Sequence, residues 1–179
     1  MRNAVASIGL TLLLGATAFG QELSPNAPKF VKSTKVPGLM VRYLDFVWSE
    51  EAFNALEKGG DHRAGRRSWV LARLMVQSPL KWQGKTIPVG SALLVLNPSR
   101  GGSGATLHIQ YVDMREVFTD MNVVAEPPEG RIYGTAVPAN FTKVDRVVPN
   151  FELALEDKGA TIELSFQYGD HKSGVTLTR

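Results

Sequence analysis

The chain has 179 residues, 44% hydrophobic and 21% charged, with a formal net charge of +3 and no cysteine. That length supports one domain with a sizeable core, and the missing cysteines exclude disulfides, thiolate metal sites and a cysteine nucleophile. The charge is too small and too scattered for a nucleic-acid interface, the one short basic cluster being HRAGRR at 62–67.

Arg2 precedes the apolar run AVASIGLTLLLGATAFG, and Ala18 and Gly20 stand at the −3 and −1 positions of a cut before Gln21. This layout predicts a secretory signal peptide over residues 1–20. The run is shorter than the ~20 residues of a spanning helix, so no stable membrane insertion is expected after cleavage. Without a cysteine after the run, the product is not a lipoprotein, and a periplasmic or extracellular location follows. Residues 21–37 carry Pro25, Pro28 and Pro37 with little periodicity, which predicts a flexible leader before a single domain over 38–179.

GLMVRYLDFVW (38–48) is rich in aromatic and β-branched residues and reads as a strand. SEEAFNALEKGG then predicts one short helix near 49–58. Ser49 is its N-cap, Glu50 and Glu51 suit the positive end of its dipole, and Ala52, Phe53 and Leu56 form its apolar stripe. From Ser68 onward strand follows strand. SWVLARLMVQ suits a central strand, and SALLVL is a short apolar run. ATLHIQYVD alternates, with Leu107, Ile109 and Tyr111 on one face and Thr106, His108 and Gln110 on the other. In the C-terminal third, Phe151, Leu153 and Leu155 alternate with acidic residues. After a turn at Asp157-Lys158-Gly159, Ile162, Leu164, Phe166 and Tyr168 do the same, YGDHKSG makes another tight turn, and VTLTR closes the chain. The pattern predicts an all-β fold, an antiparallel β-sandwich of about seven to nine strands with one short helix.

Several stretches resemble chemistry and are better explained as structure. Gly84-Lys85-Thr86 matches the end of a P-loop, but Pro79 stands where the first glycine is required, and Pro88 and Gly90 oppose the following helix. The triplet is expected to be a hairpin turn at Gln83-Gly84, with Lys85 solvated. RGGSG (100–104) is expected to be a hairpin tip, and Ser103 within it lacks a nucleophile elbow. His62, His108 and His171 show no metal-ligand spacing, so no metal or other cofactor is expected, and solvated histidines are the simplest reading. Asp113, Arg115, Glu116 and Asp120 read as a charged strand end, with paired carboxylates for glycoside chemistry as the sharper alternative. Of the tryptophans, Trp69 is expected in the core, while Trp48 and Trp82, at a strand end and before a turn, are expected to be partly exposed and able to form an aromatic platform.

The blocks HRAG (62–65), GKTIPVGSALLVL (84–96) and ATIELSFQYGDHKSGVTL (160–177) together resemble a family of bacterial exported proteins known only as a domain of unknown function. Arg63 and Gly65 match its Trp-Arg-Thr-Gly-Ala-Asn-like segment; Gly84, Lys85, Pro88 and Gly90 match its hairpin; Tyr168-Gly169-Asp170 falls at its C-terminal turn. This chain departs at His62, Arg66, Arg67 and Ala92. The resemblance implies an exported β-rich protein, with segment 62–67 as its functional surface, and brings no catalytic residues.

The expected function is therefore a non-catalytic binding module of the periplasm or cell envelope, its partner a small molecule, a glycan or an envelope protein. Its candidate binding residues are His62, Arg63, Arg66, Trp48, Trp82 and His108. The alternatives are a small exported hydrolase using His62, His108, Asp113 and His171, or a structural envelope subunit that pairs through a sheet edge.

Overall fold

In a computed structural model, residues 30–59, 68–111 and 131–179 are described. They form β1 (Phe30–Val36), β2 (Leu39–Leu44), α1 (Glu50–Lys58), β3 (Trp69–Val76), β4 (Leu80–Trp82), β5 (Lys85–Ile87), β6 (Gly90–Asn97), β7 (Thr106–Tyr111), β8 (Ile132–Pro138), β9 (Thr142–Asp157) and β10 (Thr161–Thr178). A six-stranded sheet in the order β1-β2-β3-β6-β7-β8 faces a four-stranded sheet in the order β5-β4-β10-β9. Every strand pairing is antiparallel, and the fold is the expected β-sandwich.

Period-two alternation builds the core. Leu74, Leu94, Leu107 and Ile109 of the large sheet meet Phe151, Phe166 and Leu164 of the small one in a single buried cluster. α1 adds Phe53 and Leu56 to that cluster. Its N-cap is Ser49, whose side chain accepts from the Ala52 amide, and Gly59 closes it by donating its backbone N–H to Ala55 O.

β1 lies within the segment expected to be a leader. It adds an edge strand to the large sheet, so regular structure is present from at least eight residues before Gly38. The segment escapes a hydropathy reading because Lys32, Ser33, Thr34 and Lys35 are the polar residues an edge strand tolerates. Lys32 is also anchored, 2.9 Å from Asp45 Oδ1. Residues 1–20 lie outside the described residues.

β10 doubles back on itself. Eighteen residues in one straight strand would span roughly 60 Å, yet the Arg179 amide donates to Ala160 O at 3.0 Å. Gly174 lies against Leu164 and Ser165. Both contacts centre the reversal on Gly169-Asp170. That registration sets Ile162 opposite Leu177 and Leu164 opposite Val175, and all four are buried. Gly169 has φ 63°, which a two-residue hairpin turn opening on glycine requires. YGDHKSG is thus the tight turn expected of it. β9 runs past both arms: Glu152 pairs with Gln167 on the first, and Lys143 and Thr142 pair with His171 and Lys172 on the second.

The Gln83-Gly84 turn joins β4 to β5 with φ 50° and 70°, the pattern of a type I′ hairpin. Lys85 is exposed. Gln83 has a further role. Its side-chain amide donates to Thr135 O at 2.8 Å and accepts from the Thr135 amide at 3.2 Å, as a neighbouring strand would. It thereby clasps β8, at the edge of the large sheet, to the small sheet.

Candidate functional site

After β2 the chain leaves the large sheet and crosses to the small one. Trp48 N donates to Pro149 O at 2.8 Å, and Phe151 N to Phe46 O at 2.9 Å. Asn150 Nδ2 donates to Asp45 Oδ1 at 2.9 Å. The Lys32 bond and this Asn150 bond hold the Asp45 carboxyl below its usual pKa, Lys32 having the larger effect. The Tyr168 hydroxyl completes the anchorage by accepting from Ser49 N at 3.1 Å and donating to Val47 O at 3.2 Å. Burial raises the pKa of this phenol, so it stays a donor.

This crossing sets Trp48 over the β10 turn. A methyl group on Gly169 would collide with Cδ2, Cε2 and Cε3 of the indole. The ring also meets Tyr168 edge-on, with centroids 4.6 Å apart. At the turn, Gln167 Nε2 donates to Gly169 O at 2.9 Å and to Arg146 O at 2.5 Å, which satisfies carbonyls near the reversal.

A two-residue turn places its flanking residues on one face, so His171 joins Tyr168 on the core side. Its ring stacks on Phe53 at 3.9 Å between centroids and lies near Trp48 at 5.9 Å. His171 Nδ1 sits 2.7 Å from Asp170 Oδ1, too poorly aligned for a hydrogen bond. Asp170 Oδ2 lies 3.0 Å from Lys143 Nζ. That lysine is the main cause of a depressed Asp170 pKa, which keeps the carboxylate an acceptor. Trp48, Glu50, Lys143, Val147, Asp170 and His171 line a surface cavity of about 220 Å³. This is the candidate site. Chemically, it offers an aromatic wall, carboxylate acceptors and an ammonium donor, and among the described residues no hydroxyl side chain lines it.

Of the residues expected to bind, the structure brings Trp48 to this cavity and leaves Trp82 and His108 elsewhere. His62, Arg63 and Arg66 lie outside the described residues, as do Asp113, Arg115, Glu116 and Asp120. Trp82 was expected to be partly exposed but is 4% exposed and belongs to the core. It alternates with the exposed Lys81, and its indole points inward before the turn begins. Trp69, expected in the core, is half-buried against Phe46, Tyr168 and the two alanines of α1.

His108 is not solvated either. It lies on the face of the large sheet turned away from the small one, where it pairs across from Val95, and Val70, Leu93 and Val95 form a second buried cluster there. Ser68 Oγ donates to Asn97 Oδ1 at 2.7 Å, which leaves Asn97 Nδ2 to donate to His108 Nδ1 at 2.8 Å. That assignment puts the ring proton on Nε2, facing Gln110 Oε1 at 3.4 Å. His108 and His171 therefore sit on different sheets and do not converge. Among the described residues, no group of three or more His, Asp or Glu is placed to hold a metal ion.

The lining residues that the sequence reading did not nominate as a site are Glu50, Lys143, Val147 and Asp170. The available signal was the turn itself, since a two-residue turn after core-facing Tyr168 fixes the face of His171. No family model, curated protein or solved structure matches the chain, so the family resemblance rests on the quoted blocks.

Gly169→Ala should destabilise the protein by at least about 2 kcal/mol, through positive-φ strain and overpacking. In a denaturation cycle with Trp48→Ala, the double variant should recover about 1 kcal/mol or more relative to the sum of the single variants; additive effects would deny the contact. Burial lowers the pKa of His108, so folding favours its neutral form. Its contribution to stability is present above about pH 6.5, the unfolded value, and is lost as pH falls from there toward the lower folded value. Melting temperature should thus drop between pH 7.5 and 5.5 by less in His108→Gln than in the parent, and equal drops would contradict the assignment.

Proposed function

We propose that this protein is an exported, non-catalytic binding module of the periplasm or cell envelope that holds a small polar ligand in the cavity at the β10 turn. The observation that carries this reading is the convergence of Trp48 with Asp170, His171 and Lys143, from three separate stretches of chain, on one concave site. A small concave site with an aromatic wall and a few oriented polar groups is the usual form of a ligand pocket. The indole is held against Gly169 and Tyr168, so little side-chain freedom is lost on binding. Export rests on the signal-peptide layout of residues 1–20 and on the resemblance to an exported family. No helix among the described residues is long and apolar enough to cross a membrane.

Binding is favoured over hydrolysis for two reasons. Among the described residues no serine, threonine or cysteine lines the cavity, and the Asp170 carboxylate is engaged by Lys143 at 3.0 Å rather than left free as a nucleophile. Asp170 is held ionised by Lys143, so it makes a poor general acid.

The test is an NMR titration of amide resonances with a mixture of monosaccharides, amino acids, organic ammonium salts and short carboxylates, followed by recovery of the small molecules. Shift changes should cluster at residues 48, 143, 147, 170 and 171, and the bound compound should return chemically unchanged. Changes clustered on another surface, or turnover of the compound, would refute the reading.

A further inference from the structure

We propose that the ligand of this cavity is a neutral pyranose ring, either a free monosaccharide or the terminal unit of a glycan. This inference rests on the binding reading above and narrows it. Size comes first. A cavity of about 220 Å³ lies below the roughly 300–1,000 Å³ of sites for drug-sized molecules, so it suits one ring.

Charge comes second. Glu50 and Asp170 contribute two carboxylates and Lys143 one ammonium to the lining. Lys143 is already engaged with Asp170 at 3.0 Å. An anionic ligand would face Glu50 and Asp170 and would have to draw Lys143 away from its partner. A cationic ligand would approach the Lys143 ammonium and compete with it for Asp170. A neutral ring avoids both penalties.

Chemistry comes third. The C–H face of a pyranose matches an indole wall, and Trp48 is packed too tightly by Gly169 and Tyr168 to swing away. Val147, 59% exposed, extends the apolar lining. One ring hydroxyl donates to the Asp170 carboxylate while its neighbour accepts from Lys143 Nζ, groups 3.0 Å apart, and Glu50, also in the lining, is a further acceptor. A hydroxyl can do both at once, whereas an ammonium or a carboxylate ligand can do only one.

Calorimetry and amide NMR with the whole protein, using methyl glucopyranoside, methyl galactopyranoside, tetramethylammonium and acetate singly, test the idea. At least one pyranoside should bind with shifts at residues 48, 143, 147, 170 and 171, and at least tenfold more tightly than either ion. Asp170→Asn should weaken it at least tenfold. Val147→Asp, an exposed change that leaves the turn intact, should weaken it as well. If tetramethylammonium or acetate binds at these residues more tightly than every pyranoside, the sugar assignment is overturned while the binding reading stands. If none of the four probes perturbs these residues while another compound of the mixture above does, the sugar assignment is overturned and the binding reading stands; if no compound of that mixture perturbs them, both are overturned.

Discussion

The indole of Trp48 lies against a backbone position that has room for no side chain, and the site depends on that contact. Gly169 satisfies two demands there. Its positive φ lets β10 reverse in two residues, and its missing Cβ lets the indole approach. Each demand alone would select glycine. Together they tie the crossing segment after β2 to the C-terminal hairpin, more than a hundred residues later in sequence. Tyr168 reinforces the tie from inside by hydrogen bonds to Val47 and Ser49, and Phe53 does so through its stack on His171. The aromatic contacts are worth about 0.5–1.5 kcal/mol each beyond simple burial, so the cluster is a substantial part of the stability of a domain this size.

The same economy appears on the other open side of the sandwich. Two packed sheets leave edges where backbone groups lack partners. Gln83 meets this need with a side-chain amide that bonds the backbone of Thr135 as a strand would. Across the sandwich, Lys32, Asp45 and Asn150 connect β1 of the large sheet to β9 of the small one. The sheets are thus joined by polar clasps at their sides as well as by the apolar layer between them. The candidate cavity lies beside one of these seams, next to the crossing segment, where side chains of both sequence halves meet.

Much of the fold was legible because it follows from local rules. Continuous apolar runs identified β3 and β6, and alternation identified β7 and the first arm of β10. Ser49 and Gly59 bracketed α1, and Pro88 and Gly90 turned an apparent phosphate motif into a hairpin. β1 was missed because an edge strand with two lysines has no apolar face to recognise. Trp82 and His108 were misplaced for a related reason: exposure depends on what packs over a face, and alternation says only which residues share one. His108 has polar neighbours on its own strand, yet it pairs across from Val95 in a buried layer. The site was half legible. Trp48 and the turn carrying Asp170 and His171 were each singled out, but their meeting is a long-range contact that no window of sequence contains. Lys143 joins them only because β9 runs past the turn.

The most direct measurement of the central contact is the NMR signal of the Gly169 α-protons in the folded protein. A ring seated on the glycine predicts α-proton resonances displaced upfield by the indole, with nuclear Overhauser contacts to the six-membered ring protons of Trp48. Ordinary glycine shifts and no such contacts would show that the indole does not rest there, and the account of the crossing segment and the cavity beside it would fail.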